Sequence, residues 1–267
     1  MRYSRAAAVV LRQIYLLRGS PTRLLPMIAW VAIDIVLWGF ITRYLSALTG
    51  PKINLVASIL GAVLLWDFLG RVMQGVTTAF FEDVWSRNFL NLFATPLTIA
   101  DYLGGLIATG IGTSILGLVA MLTLATTVFG FSFFAYGAAV VPFILVLFVT
   151  GISLGILGTA IVLRLGPASE WLIWPIPSLL SPFVGVFYPL STLPHWMQAI
   201  GHALPPSYVF EAMRSIVAGR GAPMDLLAMA VGLSAVYLLA ACWIFARVYR
   251  FALRTGLIAR YSAESAS

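Results

Sequence analysis

The chain has 267 residues, of which 61% are hydrophobic and only 9% charged, and its mean hydropathy is +1.00. A soluble domain carries about 25% charged residues, so a soluble globular protein is excluded and an all-α, polytopic membrane protein is expected. The formal net charge of +7 does not indicate a nucleic-acid partner. The basic residues sit in short flanks of apolar runs, where they set membrane orientation.

The segment Met1–Arg23 carries Arg2, Arg5, Arg12, Arg18 and Arg23 and no acid. Val10, Ile14 and Leu17 recur at helical spacing, and Arg5 and Arg12, seven apart, occupy another face. This pattern predicts an amphipathic helix over residues 1–23 lying on an anionic leaflet, the plain alternative being a basic tail. It lacks a continuous apolar run and a small-residue cleavage site, so a removable signal peptide is not expected.

Six apolar spans follow, at about Leu24–Tyr44, Ile53–Phe81, Tyr102–Phe129, Ala135–Leu163, Glu170–Pro189 and Leu226–Phe245. The second is long enough to tilt. The fifth is interrupted by Pro175, Pro177 and Pro182, each of which removes a backbone donor and bends or breaks a helix. Six spans put both termini on one side. That side also holds Arg87 and Arg164, together with the five arginines of the start and Arg247, Arg250, Arg254 and Arg260 of the end. The opposite side holds Arg43, Lys52, Arg214 and Arg220. The excess places both termini in the cytoplasm. The one cysteine, Cys242, lies in the last span, so no intrachain disulfide and no cysteine-based metal site is expected.

Between spans two and three, residues 82–97 combine Glu82 and Asp83 with Trp85, Phe89 and Phe93 at helical spacing, and Pro96 ends the run. Acids at a helix start suit the macrodipole. A short amphipathic helix on the cytoplasmic face is expected, either docking into a partner's groove or merely connecting spans at the headgroups.

Residues 181–214 read SPFVGVFYPLSTLPHWMQAIGHALPPSYVFEAMR. A short piece from Leu193 to Leu204 is stopped by Pro205-Pro206, and a second carries Glu211 and Arg214. Neither reaches the roughly 20 residues needed to cross a bilayer. Tyr188, Trp196 and Tyr208 are rings of the kind enriched at membrane interfaces. The reading is a pair of short helices dipping into the outer face within residues 190–222. Glu211 and Arg214, at i,i+3, form a structural ion pair or contact substrate. His195 and His202 lie two turns apart, about 10 Å along a helix, too far to share one metal.

Charges inside spans cost at least ~2.5–3.5 kcal/mol each and are candidates for function. Asp34 precedes Trp38 by four residues in span one, and Asp67 and Arg71 share a face of span two. Either they neutralise one another between helices, or they line a path. Gly151, Gly155 and Gly158 in span four, and the glycines of span three, read as close helix packing.

Two motifs carry a resemblance over nearly the whole chain. The first is E-x-x-W-x-R-N-x₆-T-P, formed by Glu82, Trp85, Arg87, Asn88, Thr95 and Pro96. The second is F-Y-P-x₄-P…L-P-x-x-Y-x-x-E-x-x-R, formed by Phe187, Tyr188, Pro189, Pro194, Leu204, Pro205, Tyr208, Glu211 and Arg214. With the basic N-terminal helix and six spans, the chain resembles the membrane subunit of an ABC exporter of the ABC-2 (type V) permease family. The resemblance implies a single transmembrane domain over residues 1–267 in a bacterial inner membrane. It implies that residues 82–97 are a coupling helix for an ATPase, and that the outer helical pair caps the exit. It also implies that spans one, two and five surround the cavity of a dimer.

The residues themselves leave room for a separate ATPase. The only lysine, Lys52, stands in Gly50-Pro51-Lys52-Ile53-Asn54, which is no phosphate-binding loop. If ATP drives the protein, as the resemblance implies, ATP and magnesium belong to a partner subunit, and no cofactor or enzyme activity is expected in this chain. Six spans enclose no two-sided path alone, so a second copy is expected, by default with twofold symmetry. The alternative class is an ion- or proton-coupled secondary transporter using Asp34 and Asp67. Against it, no inverted repeat with matched broken spans is visible. The transported substrate is not legible.

Overall fold

The structure, a computed structural model, describes residues 2–19, 21–49, 56–85, 95–131 and 137–257. Among these residues it is all-helical, with no strand. Helix α1 is Arg2–Arg18 and α2 is Pro21–Thr49. A π-helical turn, Val56–Leu60, leads into α3, Gly61–Trp85. Helix α4 is Ile99–Phe129, and α5, Val141–Leu165, follows one 3₁₀ turn. A further 3₁₀ stretch, Pro167–Leu172, precedes the short α6, Ile176–Val184. Helices α7, His195–His202, and α8, Pro205–Val217, lead to α9, Met224–Thr255.

Among the described residues, four stretches are long and apolar enough to cross a membrane: Ser58–Asp83, Ile99–Phe129, Ala138–Leu165 and Met224–Thr255. The chain is thus a helical membrane protein. The predicted fifth span is not one helix. Pro175 and Pro177 bracket the start of α6, and Pro182 sits inside it, so 167–184 forms a 3₁₀ stretch, a turn and nine residues of helix. It nevertheless runs back along α3. Ile173 lies against Gly158 near the end of α5, Pro177 against Gly70, and Val186 beside Ser58 and Ala62 at the start of α3.

Helix α3 is the centre of the bundle, with α4 and α5 packed on it, α9 on α5, and α2 on α4. Small residues let the backbones approach. A Cβ on Gly151 would come within 2.7 Å of Val72 and 2.9 Å of the Leu69 carbonyl, and one on Gly155 within 2.8 Å of Val76. Gly75 of α3 meets Gly110 of α4 in the same way, at 3.0 Å from its Cα. This is the small-residue packing that membrane helices use where apolar lipid offers no hydrophobic drive. The expectation of glycine packing holds for these positions but not for Gly104 and Gly112, which have open space beside them. Hydroxyls on the buried faces bond back to their own helices: Thr150 to Val146 O at 2.8 Å, Ser153 to Val149 O at 2.7 Å and Ser114 to Gly110 O at 2.5 Å. Each buried donor is thereby satisfied without water.

Because α3 and α5 run parallel, their C-termini share one end of the bundle. The Arg164 guanidinium lies 5.1 Å from the Phe251 ring, which brings the C-terminal part of α9 to that end. The connection 185–190 lies at the other end, beside the start of α3. The α9 face that turns outward, with Met229, Val236, Leu239 and Trp243, is the apolar surface expected against lipid.

Candidate functional site

The candidate residues gather at three levels of the bundle. At the end where α3 begins, the F-Y-P and L-P-P-x-Y-x-x-E-x-x-R motifs close into one knot. Helix α6 stops at Gly185, whose φ of +68° and whose Cβ position, 2.9 Å from the Tyr188 carbonyl, both favour glycine. The turn that follows is held from α8. The Leu190 N–H donates to Glu211 Oε1 at 2.8 Å, and Arg214 donates to the same oxygen at 2.9 Å and to the Gly185 carbonyl at 2.8 Å. Glu211 and Arg214 thus pair as expected, and the pair also ties both ends of the 185–190 turn. The Tyr188 hydroxyl donates to the Pro182 carbonyl at 2.7 Å, the Tyr208 hydroxyl to the His202 carbonyl at 2.8 Å. Tyr237 of α9 adds a bond to the Ala203 carbonyl at 3.1 Å. Pro194 caps α7, and Pro205 and Pro206 open α8, where a missing N–H costs nothing. Pro189, exposed, precedes the 3₁₀ turn at Leu190. Behind the knot lies a small cavity of about 30 Å³, lined by Ser58, Ala62, Val186, Phe210 and Arg214, enough for about one water.

One level deeper, the path candidates meet this knot. Trp38 of α2 stacks on Phe187, with centroids 4.8 Å apart and planes 15° from parallel, and Trp66 of α3 lies 6.0 Å from Phe210. A turn along α2 from Trp38 is Asp34. Arg71 interacts electrostatically with both Asp67 and Asp34, so the three charges expected to share the membrane interior do so across α2 and α3. Asp67 Oδ2 is buried without a hydrogen-bond partner among the described residues. The pairing of Trp38 with Phe187 has no signal in the sequence, since the two rings lie far apart along the chain and on no common period.

The third level is the opposite end. Glu82 and Asp83 do not open a separate helix; they belong to the last turn of α3, which continues to Trp85. Asp83 is fully buried and ion-paired with Arg12 of α1, and the Tyr102 hydroxyl of α4 donates to Asp83 Oδ2 at 2.7 Å. Gln13 Nε2 reaches the Ala79 carbonyl at 3.4 Å. Helix α1 is therefore pinned to the protein by a face bearing Val9 and Gln13, which are buried, while Ile14 of the predicted apolar face is exposed. A helix forms over most of the expected segment, and Ile14 of its predicted apolar face turns away from α3 and α4, where polar bonds hold the other side. Arg5 Nη1 donates to the Pro96 carbonyl at 2.7 Å, and Thr98 and Asp101 cap α4 reciprocally. Thr95 and Pro96 form an exposed turn. Arg87, Asn88 and Phe89 lie outside the described residues, as does most of the expected coupling segment. Of the contacts at this end, the sequence carried one hint: Arg5 and Arg12 seven apart with no acid near them in the chain.

No protein-family model and no curated protein sequence matches the chain. The class that fold and site define is therefore the helical membrane protein, with a cross-tied knot at one end of the bundle and an ion-paired helix at the other.

Proposed function

We propose that the chain is the permease subunit of an ATP-driven exporter of the ABC-2 (type V) kind. Two copies form the path, and separate ATPase subunits, which hold ATP and magnesium, drive it from the cytoplasmic side of an inner membrane. On this reading six segments cross: α2, α3, α4, α5, the kinked stretch 167–184, and α9. Helices α7 and α8 are the outer re-entrant pair, and residues 82–97 dock the ATPase.

The observation that carries the reading is the placement of the two motifs. The second motif folds into a knot at one end of the bundle, where Glu211 and Arg214 pair and tie the 185–190 turn to α8. The first leaves α3 at the other end, from a turn buttressed by α1 and α4. Separation of an exit closure from a docking end is what an exporter driven from one side requires. Trp38 on Phe187 gives that closure an apolar seal between α2 and the knot.

The test is recovery of the detergent-solubilised chain from native membranes with identification of bound proteins, beside a variant with Trp85→Ser and Phe89→Ser. A P-loop ATPase bound to the wild type and lost from the variant is the expected result. A stable, folded chain with no ATPase in either sample would overturn it. That outcome favours ion-coupled transport, the second reading, for which the unbonded Asp67 Oδ2 beside Asp34 is the supporting observation. Asp34→Asn and Asp67→Asn would then be assayed for loss of gradient-driven uptake.

A further inference from the structure

Between α1 and the turn before α4 lies an open cleft of about 310 Å³, lined by Arg5, Ala8, Val9, Arg12, Pro96 and Leu97. We propose that this cleft is a binding site for an anionic phospholipid, with its phosphate at the arginine rim and the first part of an acyl chain on the apolar floor. The proposal needs only that the chain sits in a membrane and is independent of what it transports.

Three observations define the occupant. The first is position. The cleft opens where α3 ends and α4 begins, near Asp83 and Ile99, the limits of two apolar stretches long enough to cross a bilayer. That is the depth of lipid headgroups, and basic pockets between helices at that depth take anionic headgroups. The second is the sign of the exposed charge. Arg5 and Arg12 keep 40% and 27% of their side chains exposed, whereas the carboxylates of Asp101 and Asp83 behind them keep 8% and 0%. The four charges balance, but the cationic pair faces outward and the anionic pair faces the protein. Arg5 uses Nη1 on the Pro96 carbonyl and lies 4.0 Å from Asp101, and a guanidinium carries five N–H donors in a fork suited to phosphate. The third is the floor. Ala8, Val9 and Leu97 contribute almost no polar surface, so a free phosphate would leave them uncovered and water would gain nothing there. A molecule with an anionic head and an apolar tail satisfies both parts, and the leaflet supplies it at high local concentration. A short acidic peptide would match the rim but not the headgroup depth.

The test uses the full chain reconstituted in nanodiscs of phosphatidylcholine, alone or mixed with phosphatidylglycerol. Lipid kept through mild detergent extraction is counted by native mass spectrometry, with inorganic phosphate added to a phosphatidylcholine arm. The wild type is expected to retain phosphatidylglycerol in preference to phosphatidylcholine. Arg5→Gln should lose roughly five-fold of that preference, the size of one basic side chain at an anionic surface, and Arg5→Lys should recover most of it. Ala8→Trp, which fills the cleft from an exposed position, should abolish retention with helicity unchanged by circular dichroism. Equal retention of both lipids by the wild type would overturn the proposal. So would a preference untouched by Arg5→Gln and Ala8→Trp, or one that Arg5→Lys fails to recover. Stabilisation by phosphate alone, equal to that by the lipid, would make the site an anion site. Loss of a co-purifying polypeptide from Ala8→Trp, with lipid retention intact, would make it a protein-docking site.

Discussion

Asp83 shows what a carboxylate requires inside an apolar bundle. It is fully buried, and the Arg12 guanidinium and the Tyr102 hydroxyl meet it from two other helices. Removing Arg12 leaves the Asp83 carboxylate buried and uncompensated, which costs about 3–5 kcal/mol, whereas replacing both by apolar groups of similar volume is often neutral. Asp83→Leu and Arg12→Met should each lower the thermal unfolding midpoint in detergent strongly. The double variant should recover most of the loss, and Tyr102→Phe should cost only about 1–3 kcal/mol. A double variant as unstable as the sum of the singles would show that the pair acts through something other than its mutual charge. None of this triad could be read from the sequence. Arg12 and Asp83 are 71 residues apart, and the sequence pattern puts both at surfaces, the arginine against a leaflet and the acid at the start of a short helix on the cytoplasmic face. What was legible at this scale was local: Glu211 and Arg214 at i,i+3 pair as their spacing demands, although the bonds to Leu190 and Gly185 that give the pair its purpose come from the fold.

Elements in this chain are positioned by where the backbone is bare. Gly151 and Gly155 turn one face of α5 toward Val72 and Val76 of α3, and that contact aligns the two helices in parallel. A side chain there must push α3 aside. Overpacking of this kind costs roughly 1–3 kcal/mol. Gly155→Val should therefore lower the unfolding midpoint and broaden the gel-filtration peak. Gly112→Ala, at a site with nothing within 4 Å, should leave both unchanged. A neutral Gly155→Val would mean that α3 and α5 are held by other contacts. Helix existence was legible almost everywhere, because long apolar runs admit few alternatives in lipid. Helix ends were less so. The sequence ended span two at Phe81 on reaching two acids, yet α3 continues to Trp85 because Asp83 finds partners inside. Span five shows the converse. Its prolines were visible and its interruption was expected, but the division into a 3₁₀ stretch and a nine-residue helix depends on packing against Gly158 and Gly70, which composition does not encode.

For the whole molecule, the question is which end faces the cytoplasm. Arg5, Arg12, Arg164, Arg247, Arg250 and Arg254 collect at the end where α3 and α5 finish, while the knot built on Glu211 and Arg214 occupies the opposite end. The positive-inside rule predicts the α1 end inside and the knot outside, the orientation that the proposed exporter requires. A thiol test decides it directly. The chain has one cysteine, Cys242, so Cys242→Ser gives a background free of thiols. Into it go Thr192→Cys, exposed on the 3₁₀ turn of the knot, and Thr95→Cys, exposed in the turn before α4. In intact cells a membrane-impermeant maleimide should label the cysteine at 192 and spare the one at 95, and permeabilised cells should label both. The reverse pattern would place the knot in the cytoplasm. An ATPase could then not reach residues 82–97, and the arginine pair at the α1 cleft would face the outer leaflet. Labelling of both sites in intact cells would mean that the stretch 167–184 does not cross. The chain would then have an odd number of crossings between these two positions removed, and the six-segment arrangement would fail while the packing of α3, α4, α5 and α9 stood.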